Sequence, residues 1–253
     1  MPRSNQQGGY NPEAFELLAE VETGSWWFEA RNRLILDTLE KHFSPLTEFL
    51  EIGCGTGFVL QAIQKAYPKT VITGTELLEE GLAVSRKRLP TIKLEQLDAR
   101  KLSKAESLDV VGAFDVLEHI HEDTLVLKNL FQAIRKGGGI IITVPQHPTL
   151  WSQTDEISHH VRRYTRKELI RKVTDAGFAV ECVNSFVSFL VPLMWLSRKR
   201  NSSDMVEKPM REFQLPYILN NMFGGIMKFE RLLISMGLNL PIGGSLLLVA
   251  RKT

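Results

Sequence analysis

Residues 44–145 alternate between short apolar runs and stretches of helical character. This alternation predicts a parallel β-sheet whose strands are joined by right-handed helical crossovers. We expect strands near 47–52, 70–75, 92–97, 109–114 and 139–144. We expect helices between them near 58–67, 78–88 and 123–135. Pro68 and Pro90 end the first two helices, because proline has no amide N–H to donate.

The pattern changes after residue 145. A polar segment at 145–165 has no apolar period and is expected to be a loop at the carboxyl edge of the sheet, where open α/β sheets bind ligands. A helix near 166–176 is expected to end at Gly177. Two further strands are expected, at 178–187 and 245–251.

The N-terminal 43 residues lie outside this alternation. Residues 12–22 are expected to be helical, and an aromatic triplet at 26–28 precedes a second helix from about 29 to 42. Trp27 and Arg31 fall on one face of that helix. The segment is either an aromatic lid over a ligand or a helix anchored on the sheet by its aromatic residues.

About 55 residues separate the last two strands, where a minimal fold needs only a tight turn. The stretch 188–196 is apolar, the basic residues 198–200 follow it, and later apolar residues recur at helical spacing. The apolar run is shorter than the ~20 residues of a membrane span, and Pro192 interrupts it. We favour an apolar cap over the site, with membrane-surface contact through 188–200 and a dimer face as alternatives.

Composition narrows the class of protein. A net charge of +2 over 253 residues gives no reason to expect a nucleic-acid partner. Two isolated cysteines favour neither a disulfide framework nor a metal site, and a cytoplasmic protein is the simple interpretation. The polar residues 1–11 have no apolar core of a secretion signal and are expected to be disordered.

The chemistry-bearing motif follows the first predicted strand. Glu51 precedes glycines at 53, 55 and 57 and a helix beginning near Phe58. Such a loop brings bare backbone against a ligand. A dinucleotide fingerprint needs a third glycine where this chain has Phe58, and a pyrophosphate needs no acid this close. A cofactor that carries an ammonium group does need an acid close to the loop.

This spacing resembles the first motif of the class I S-adenosylmethionine-dependent methyltransferases. Later landmarks agree: an acid at Glu76 after the second strand, Asp98 after the third, and the fourth-strand segment 109–119. The resemblance implies a doubly wound, seven-stranded, mostly parallel α/β sheet whose last two strands form an antiparallel hairpin. It also implies that Glu76 binds the ribose and Asp98 the adenine amino group.

The resemblance implies S-adenosylmethionine as cofactor, with S-adenosylhomocysteine as product. The residues expected to bind it are Glu51, Gly53, Cys54, Gly55, Gly57, Glu76, Leu77, Asp98, Ala99, Phe114, Asp115 and Leu117, with Trp27 and Arg31 from the lid. The expected units are a tail and lid at 1–43, the cofactor-binding core at 44–187, a helical cap at 188–243 and the last strand at 244–253.

The reaction expected is an in-line methyl transfer to a small-molecule, peptide or lipid-like acceptor, with oxygen favoured over nitrogen as the nucleophile. Histidine has the pKa of a base that works near neutrality. We therefore expect catalytic roles for His119, His147 and His160. The expected substrate residues are His147, Trp151, His159, Arg163 and Tyr164.

Other possibilities remain open at this point. No metal site is expected, because the histidines are alternate or adjacent in sequence and no cysteine lies near them. A catalytically inactive methyltransferase fold that serves in binding, or at a membrane surface, is the alternative function. The protein is expected to be a monomer or a homodimer.

Overall fold

The computed structural model describes residues 14–103, 106–199 and 215–253. They form one seven-stranded sheet with helices on both faces. The strands are β1 (Glu48–Ile52), β2 (Val71–Glu76), β3 (Lys93–Gln96), β4 (Leu108–Phe114), β5 (Ile134–Pro145), β6 (Ala179–Phe186) and β7 (Ser245–Arg251). The helices are α1 (Ala14–Glu22), α2 (Trp26–Phe43), α3 (Phe58–Ala66), α4 (Glu79–Arg88), α5 (Asp123–Ala133), α6 (Gln153–Ile157), α7 (Arg166–Asp175), α8 (Val191–Lys199) and α9 (Tyr217–Ser235).

The strand order is β3-β2-β1-β4-β5-β7-β6. Strands β1 to β5 are parallel to one another, and β7 runs antiparallel between β5 and β6. The predicted doubly wound, mostly parallel sheet with a final antiparallel hairpin is confirmed. The order reverses between β1 and β4, so the crevice at their carboxyl ends is the expected ligand site.

Alternate residues of the strands supply two separate cores. In β1, Leu50 and Ile52 belong to the core beneath α5 and α7, whereas Phe49 belongs to the core beneath α2 and α3. Successive side chains of a strand point to opposite faces, so a strand buried on both faces must be apolar throughout. The exception in β1 is Glu51, which is buried as well.

The fifth strand is longer than the sequence predicted. It begins at Ile134, whereas we expected the helix before it to continue to 135 and the strand to start at 139. A Cβ at Gly138 would lie 2.3 Å from the backbone oxygen of Asp109, and one at Gly139 would lie 2.4 Å from that of Ala250. The glycine run is therefore part of β5, and its missing side chains let the backbones of β4 and β7 approach closely. It does not mark the end of the preceding helix.

Two other expectations need correction. Helix α2 begins at Trp26, so the aromatic triplet forms its first turn instead of preceding it. The segment 145–165 was expected to be a loop, but it contains the short helix α6. The cause is a capping box, in which the side chains of Ser152 and Asp155 bond reciprocally to backbone amides.

The insert before β7 packs on the N-terminal helices. Trp26 donates its backbone N–H to Oδ1 of Asn220 at 2.9 Å, and its ring lies edge-on to Phe223 at 5.4 Å. The buried carboxylate of Glu230 accepts the backbone N–H groups of Val187 and the two residues after it. These bonds fix α9 against α2 and against the start of the insert.

No helix among the described residues is long and apolar enough to cross a membrane. The expected disorder of residues 1–11 and the basic residue Arg200 lie outside the described residues.

Candidate cofactor and acceptor site

A cavity of about 680 Å³ opens at the carboxyl ends of β1 and β4. One end is walled by the glycine loop and by acids at the ends of β1, β2 and β3. The other end is walled by histidines and by apolar side chains of the insert. The predicted site residues that line the cavity are Trp27, Arg31, Glu51, Gly53, Cys54, Gly55, Glu76, Leu77, Asp98, Ala99, Phe114, Asp115, His119, His160 and Arg163.

The three loop glycines have positive φ angles, of 63° at Gly53, 53° at Gly55 and 76° at Gly57. Only Gly55 faces open space, since the nearest atom to a Cβ built there is a ring carbon of Phe15 at 3.8 Å. A Cβ at Gly57 would lie 2.8 Å from Leu89. Gly57 does not line the cavity, so its expected contact with a cofactor is replaced by packing at the start of α3.

Glu51 places a buried carboxyl group at the loop. Its side chain is 2% exposed, and Oε2 has no hydrogen-bond partner among the described residues. Burial raises the pKa of this carboxyl to about 8, with Glu76 and Glu22 adding to the rise and Arg31 opposing it. Since an unpartnered buried carboxylate is costly, the loop fits a ligand that brings a cation.

Glu76 ends β2 with both carboxylate oxygens on backbone amides. Oε2 accepts the N–H of Gly55 at 3.0 Å, and Oε1 accepts those of Leu77 and Leu78 at 2.8 and 3.1 Å. Burial raises its pKa despite these bonds. Oε2 keeps a second lone pair, so this orientation leaves an acceptor for a ligand hydroxyl.

Asp98 is engaged within the protein. Arg100 donates to it through Nε at 3.0 and 3.1 Å, through Nη2 at 2.8 Å and through its backbone N–H at 3.0 Å. These bonds hold the pKa of Asp98 below its usual range. Sequence reasoning missed Arg100, which also lines the cavity. The pair presents a carboxylate edge with a neighbouring guanidinium, instead of a lone acid.

The lid arginine also has an internal partner. Nη1 of Arg31 lies 2.5 Å from Oδ2 of Asp115, and the guanidinium stacks over Trp27 at 4.7 Å. We expected Arg31 to face the carboxylate of the cofactor or an anionic substrate. Arg31 lines the cavity, but its guanidinium forms an ion pair with Asp115, which lies 84 positions away in the sequence.

Helix α1 is tied to the glycine loop by a network that the sequence did not reveal. Thr56 donates its hydroxyl to Glu22 at 2.6 Å, and Arg88 donates to the same carboxylate at 2.7 Å. No sequence motif marks these two pairings, because Thr56 lies 34 positions from Glu22 and Arg88 lies 66 positions from it. Phe15 and Leu18 from α1 also line the cavity, so this helix closes its cofactor end.

Two of the three candidate catalytic histidines reach the cavity. The rings of His119 and His160 lie edge-on at 4.7 Å, and Glu118 lies beside them. Burial, with a contribution from His160, lowers the pKa of His119 to about 3, so this imidazole is neutral near pH 7. His147 does not line the cavity, because the chain turns there with a φ of 61°.

The expected substrate residues divide in the same way. Arg163 lines the cavity and donates Nε to Asp155 at 2.7 Å. Trp151 and His159 do not line it. Tyr164 is fully buried and donates its hydroxyl to Asp123 at 2.6 Å, so a substrate role for it is wrong. Leu117, expected at the cofactor, is likewise in the core beneath α5.

The far wall is apolar and comes from the insert. The lining residues there are Leu190, Leu193, Met194, Leu215, Leu219 and Phe223. Other apolar residues of α9 face solvent, with Ile218 80% and Met236 71% exposed. The insert therefore has an inner face on the cavity and an outer face that no described residue covers.

Comparison with known proteins identifies the family. Residues 25–183, more than half of the chain, match a family model described as a methyltransferase domain. The chain belongs to the class I S-adenosylmethionine-dependent methyltransferases. S-Adenosylmethionine is the cofactor of this family.

Individual relatives of this methyltransferase are distant. Malonyl-acyl-carrier-protein O-methyltransferase of Bacillus cereus is 26% identical over 147 residues, which are 56% of this chain and 53% of the relative. Trans-aconitate 2-methyltransferase of an Azoarcus species is 27% identical over 116 residues, 46% of this chain and 44% of the relative. The chain thus matches about half the length of these curated relatives.

A solved structure shares the fold. Phosphoethanolamine N-methyltransferase 2 of Haemonchus contortus, in complex with S-adenosylmethionine, superposes with a TM-score of 0.58 at 17% identity. The alignment covers 87% of this methyltransferase and 52% of that chain.

The residues at the glycine loop fit the cofactor of the family. The unpartnered oxygen of Glu51 suits an ammonium group, the bare backbone at Gly55 admits a close ligand, and Glu76 offers an acceptor for a hydroxyl. A diphosphate would meet repulsion from both acids.

Proposed function

We propose that this protein transfers the methyl group of S-adenosylmethionine to an oxygen nucleophile on an acceptor with an apolar portion. The observation that carries the proposal is one continuous cavity, polar and acidic at the glycine loop and apolar at the insert. A cofactor at the first end presents its methyl group toward the second.

The cofactor's orientation follows from the charges. We assign its ammonium group to Glu51, its ribose hydroxyls to Glu76, and the edge of its adenine to Asp98 with Arg100. Gly55 lets the backbone approach the ligand, because it has no Cβ in the way. The lid helices α1 and α2 cover the cofactor from solvent.

The chemistry needs positioning more than reactive side chains. The acceptor oxygen would form a bond to the methyl carbon with one of its lone pairs while the carbon–sulfur bond breaks. The electron pair of the broken bond would stay on sulfur, and S-adenosylhomocysteine would be released. Holding oxygen, carbon and sulfur in line supplies several kcal/mol of the acceleration, on the order of 7–11 kcal/mol in well-oriented model reactions. We assign His119 and His160, which both line the cavity, to its acceptor end.

The acceptor class rests on two supports. The named acceptors of the two curated relatives, malonyl and trans-aconitate groups, carry carboxylates, whose oxygens need no base to be nucleophilic. The inner face of the insert offers apolar contact to the rest of such a molecule. We therefore propose that α8 and α9 act as the cap that selects the acceptor.

The test begins with binding. Isothermal titration of the full chain with S-adenosylhomocysteine should show one site, whereas NAD should show none. The absence of S-adenosylhomocysteine binding, in a folded protein, would refute the assignment.

The acceptor class is tested by methyl-ester formation on straight-chain carboxylic acids from butanoic to dodecanoic acid. Each added methylene that is buried contributes about 0.8 kcal/mol, so kcat/KM should rise roughly fourfold per methylene until the apolar end is filled. A rate that does not change with chain length would remove the apolar portion from the proposal.

A further inference from the structure

Three side chains with metal-ligand atoms meet on the cavity wall. Glu118 and His119 come from a short 3₁₀ turn after β4, and His160 comes from the segment after α6. Their potential ligand atoms all lie within 4.8 Å of one another. The sequence predicted no metal site, because its histidines are alternate or adjacent along the chain, whereas this group joins His119 to His160, 41 positions away.

The buried environment of Glu118 favours binding of a cation. It is 0% exposed and lines the cavity, and neither carboxylate oxygen has a hydrogen-bond partner among the described residues. The guanidinium groups whose charges lower its pKa, against the larger effect of burial, are those of Arg163 and Arg31. Both are bonded elsewhere, Arg31 to Asp115 at 2.5 Å and Arg163 to Asp155 at 2.7 Å.

His160 is oriented as metal-bound histidines are. Its Nδ1 lies 2.8 Å from Oδ1 of Asp155, a carboxylate that is itself 0% exposed. Asp155 is fixed in turn by the backbone N–H of Ser152 at 2.8 Å and by Arg163. A carboxylate on one ring nitrogen keeps the proton there and leaves Nε2 as the acceptor, as in carboxylate–histidine–metal arrangements.

His119 completes the group. Its ring lies edge-on to that of His160, at 4.7 Å between centroids. The two imidazoles and the carboxyl group of Glu118 therefore lie on one part of the cavity wall.

We propose that Glu118, His119 and His160 bind a divalent transition-metal cation. Two imidazoles and one carboxylate on one side of an ion suit zinc or ferrous iron and leave coordination positions open. Bonds of about 2.1 Å bring tetrahedral ligand atoms to within about 3.4 Å of one another, so binding draws these side chains together by about 1 Å. The open positions face the cavity.

The role of the ion rests on the proposed function. An acceptor hydroxyl or carboxylate oxygen would occupy an open position. The cation lowers the pKa of a bound hydroxyl, whose proton leaves to water, and the oxygen then bonds to the methyl carbon as the carbon–sulfur bond breaks. In this arrangement the histidines act as ligands, not as bases.

The experiment titrates Co²⁺ into untagged, EDTA-treated full-length protein and follows heat and visible absorbance. We expect one site per chain in the wild type. Glu118→Gln and His160→Ala should each weaken Co²⁺ binding at least tenfold, and Asp155→Asn should weaken it by about 10–100-fold. His42→Ala, which removes an imidazole paired with Glu181 away from the cavity, should leave the affinity unchanged.

Titration of the same samples with S-adenosylhomocysteine reports folding and tests the proposed function separately. The metal proposal is overturned if the wild type binds no Co²⁺, or if folded Glu118→Gln and His160→Ala proteins bind it as the wild type does. If the wild type binds Co²⁺ but does not bind S-adenosylhomocysteine, the proposed function is overturned instead.

Discussion

The two ends of the cavity are built in different ways. At the cofactor end, the glycine loop and its acids follow strands directly, and Glu51 and Gly55 lie four residues apart in one motif. At the acceptor end, the wall combines a turn after β4, the segment around α6, and helices of the insert. The first end is a local product of strand–turn–helix units, and the second exists only when distant segments pack.

This difference explains why one end carries the family signature and the other does not. Bare backbone and a carboxylate at a strand end constrain a few adjacent positions, so the same cofactor imposes the same spacing. An apolar wall needs only hydrophobic volume, which many sequences supply. The motif at the cofactor end therefore identifies the family, and in our proposal the acceptor end sets what the individual protein methylates.

The largest expected effect comes from filling the bare backbone at the cofactor end. Gly55→Val adds a branched side chain at a φ of 53°, directly on the cavity, and should weaken S-adenosylhomocysteine binding at least about 100-fold by titration calorimetry. Gly137→Val is the matched control, because its φ is 82° and a Cβ there meets nothing within 4 Å. It should cost about 1–2 kcal/mol of stability and leave the affinity intact. Equal affinity in both variants would contradict the cofactor assignment.

The next prediction probes the acceptor end alone. Leu219→Ala removes an inner-face side chain of α9 and should lower kcat/KM for dodecanoic acid about tenfold, with S-adenosylhomocysteine affinity unchanged. Its neighbour Ile218 is 80% exposed and does not line the cavity, so Ile218→Ala is the control and should behave as the wild type. Similar losses in the two variants would mean that α9 does not select the acceptor.

A smaller effect links pH to the cofactor end. The folded-state pKa of Glu51, about 8, lies above its ordinary value of 4.5, so the folded protein holds a proton that the unfolded chain releases between these values. Stability from this group is complete below pH 4.5 and is lost as pH rises through 8. Without cofactor, the melting temperature of Glu51→Gln should rise relative to wild type between pH 5 and pH 9. A constant difference across that range would show that Glu51 is not protonated in the folded protein.

The smallest expected effect concerns a residue that belongs to neither end. Tyr164→Phe removes a hydroxyl that donates to Asp123, which also accepts from Lys172 at 2.5 Å. The loss should be about 1 kcal/mol, a few degrees in melting temperature, with cofactor affinity and methyl transfer unchanged. A large loss of kcat in a stable variant would restore the substrate role that we withdrew.

How much could be predicted depended on how local each feature was. The positions of the strands and the glycine loop followed from apolar runs and from one motif, and the doubly wound topology followed from the family resemblance. The capping box at Ser152 and Asp155 was visible as a short pattern but was not recognised, so α6 was missed. The pairing of Arg31 with Asp115 could not be predicted, because it joins residues 84 positions apart with no pattern between them.

The sequence by itself determined the fold class, the family and the edge of the sheet at which the glycine loop lies, since these depend on periodicity and on residues adjacent along the chain. Only the tertiary structure decided which charges are already paired, as at Asp98 and Arg100, and which buried carboxyl oxygens have no partner among the described residues, as at Glu51 and Glu118. The physical reason is that burial and charge pairing are properties of neighbours in space, and most neighbours in this cavity are remote in sequence.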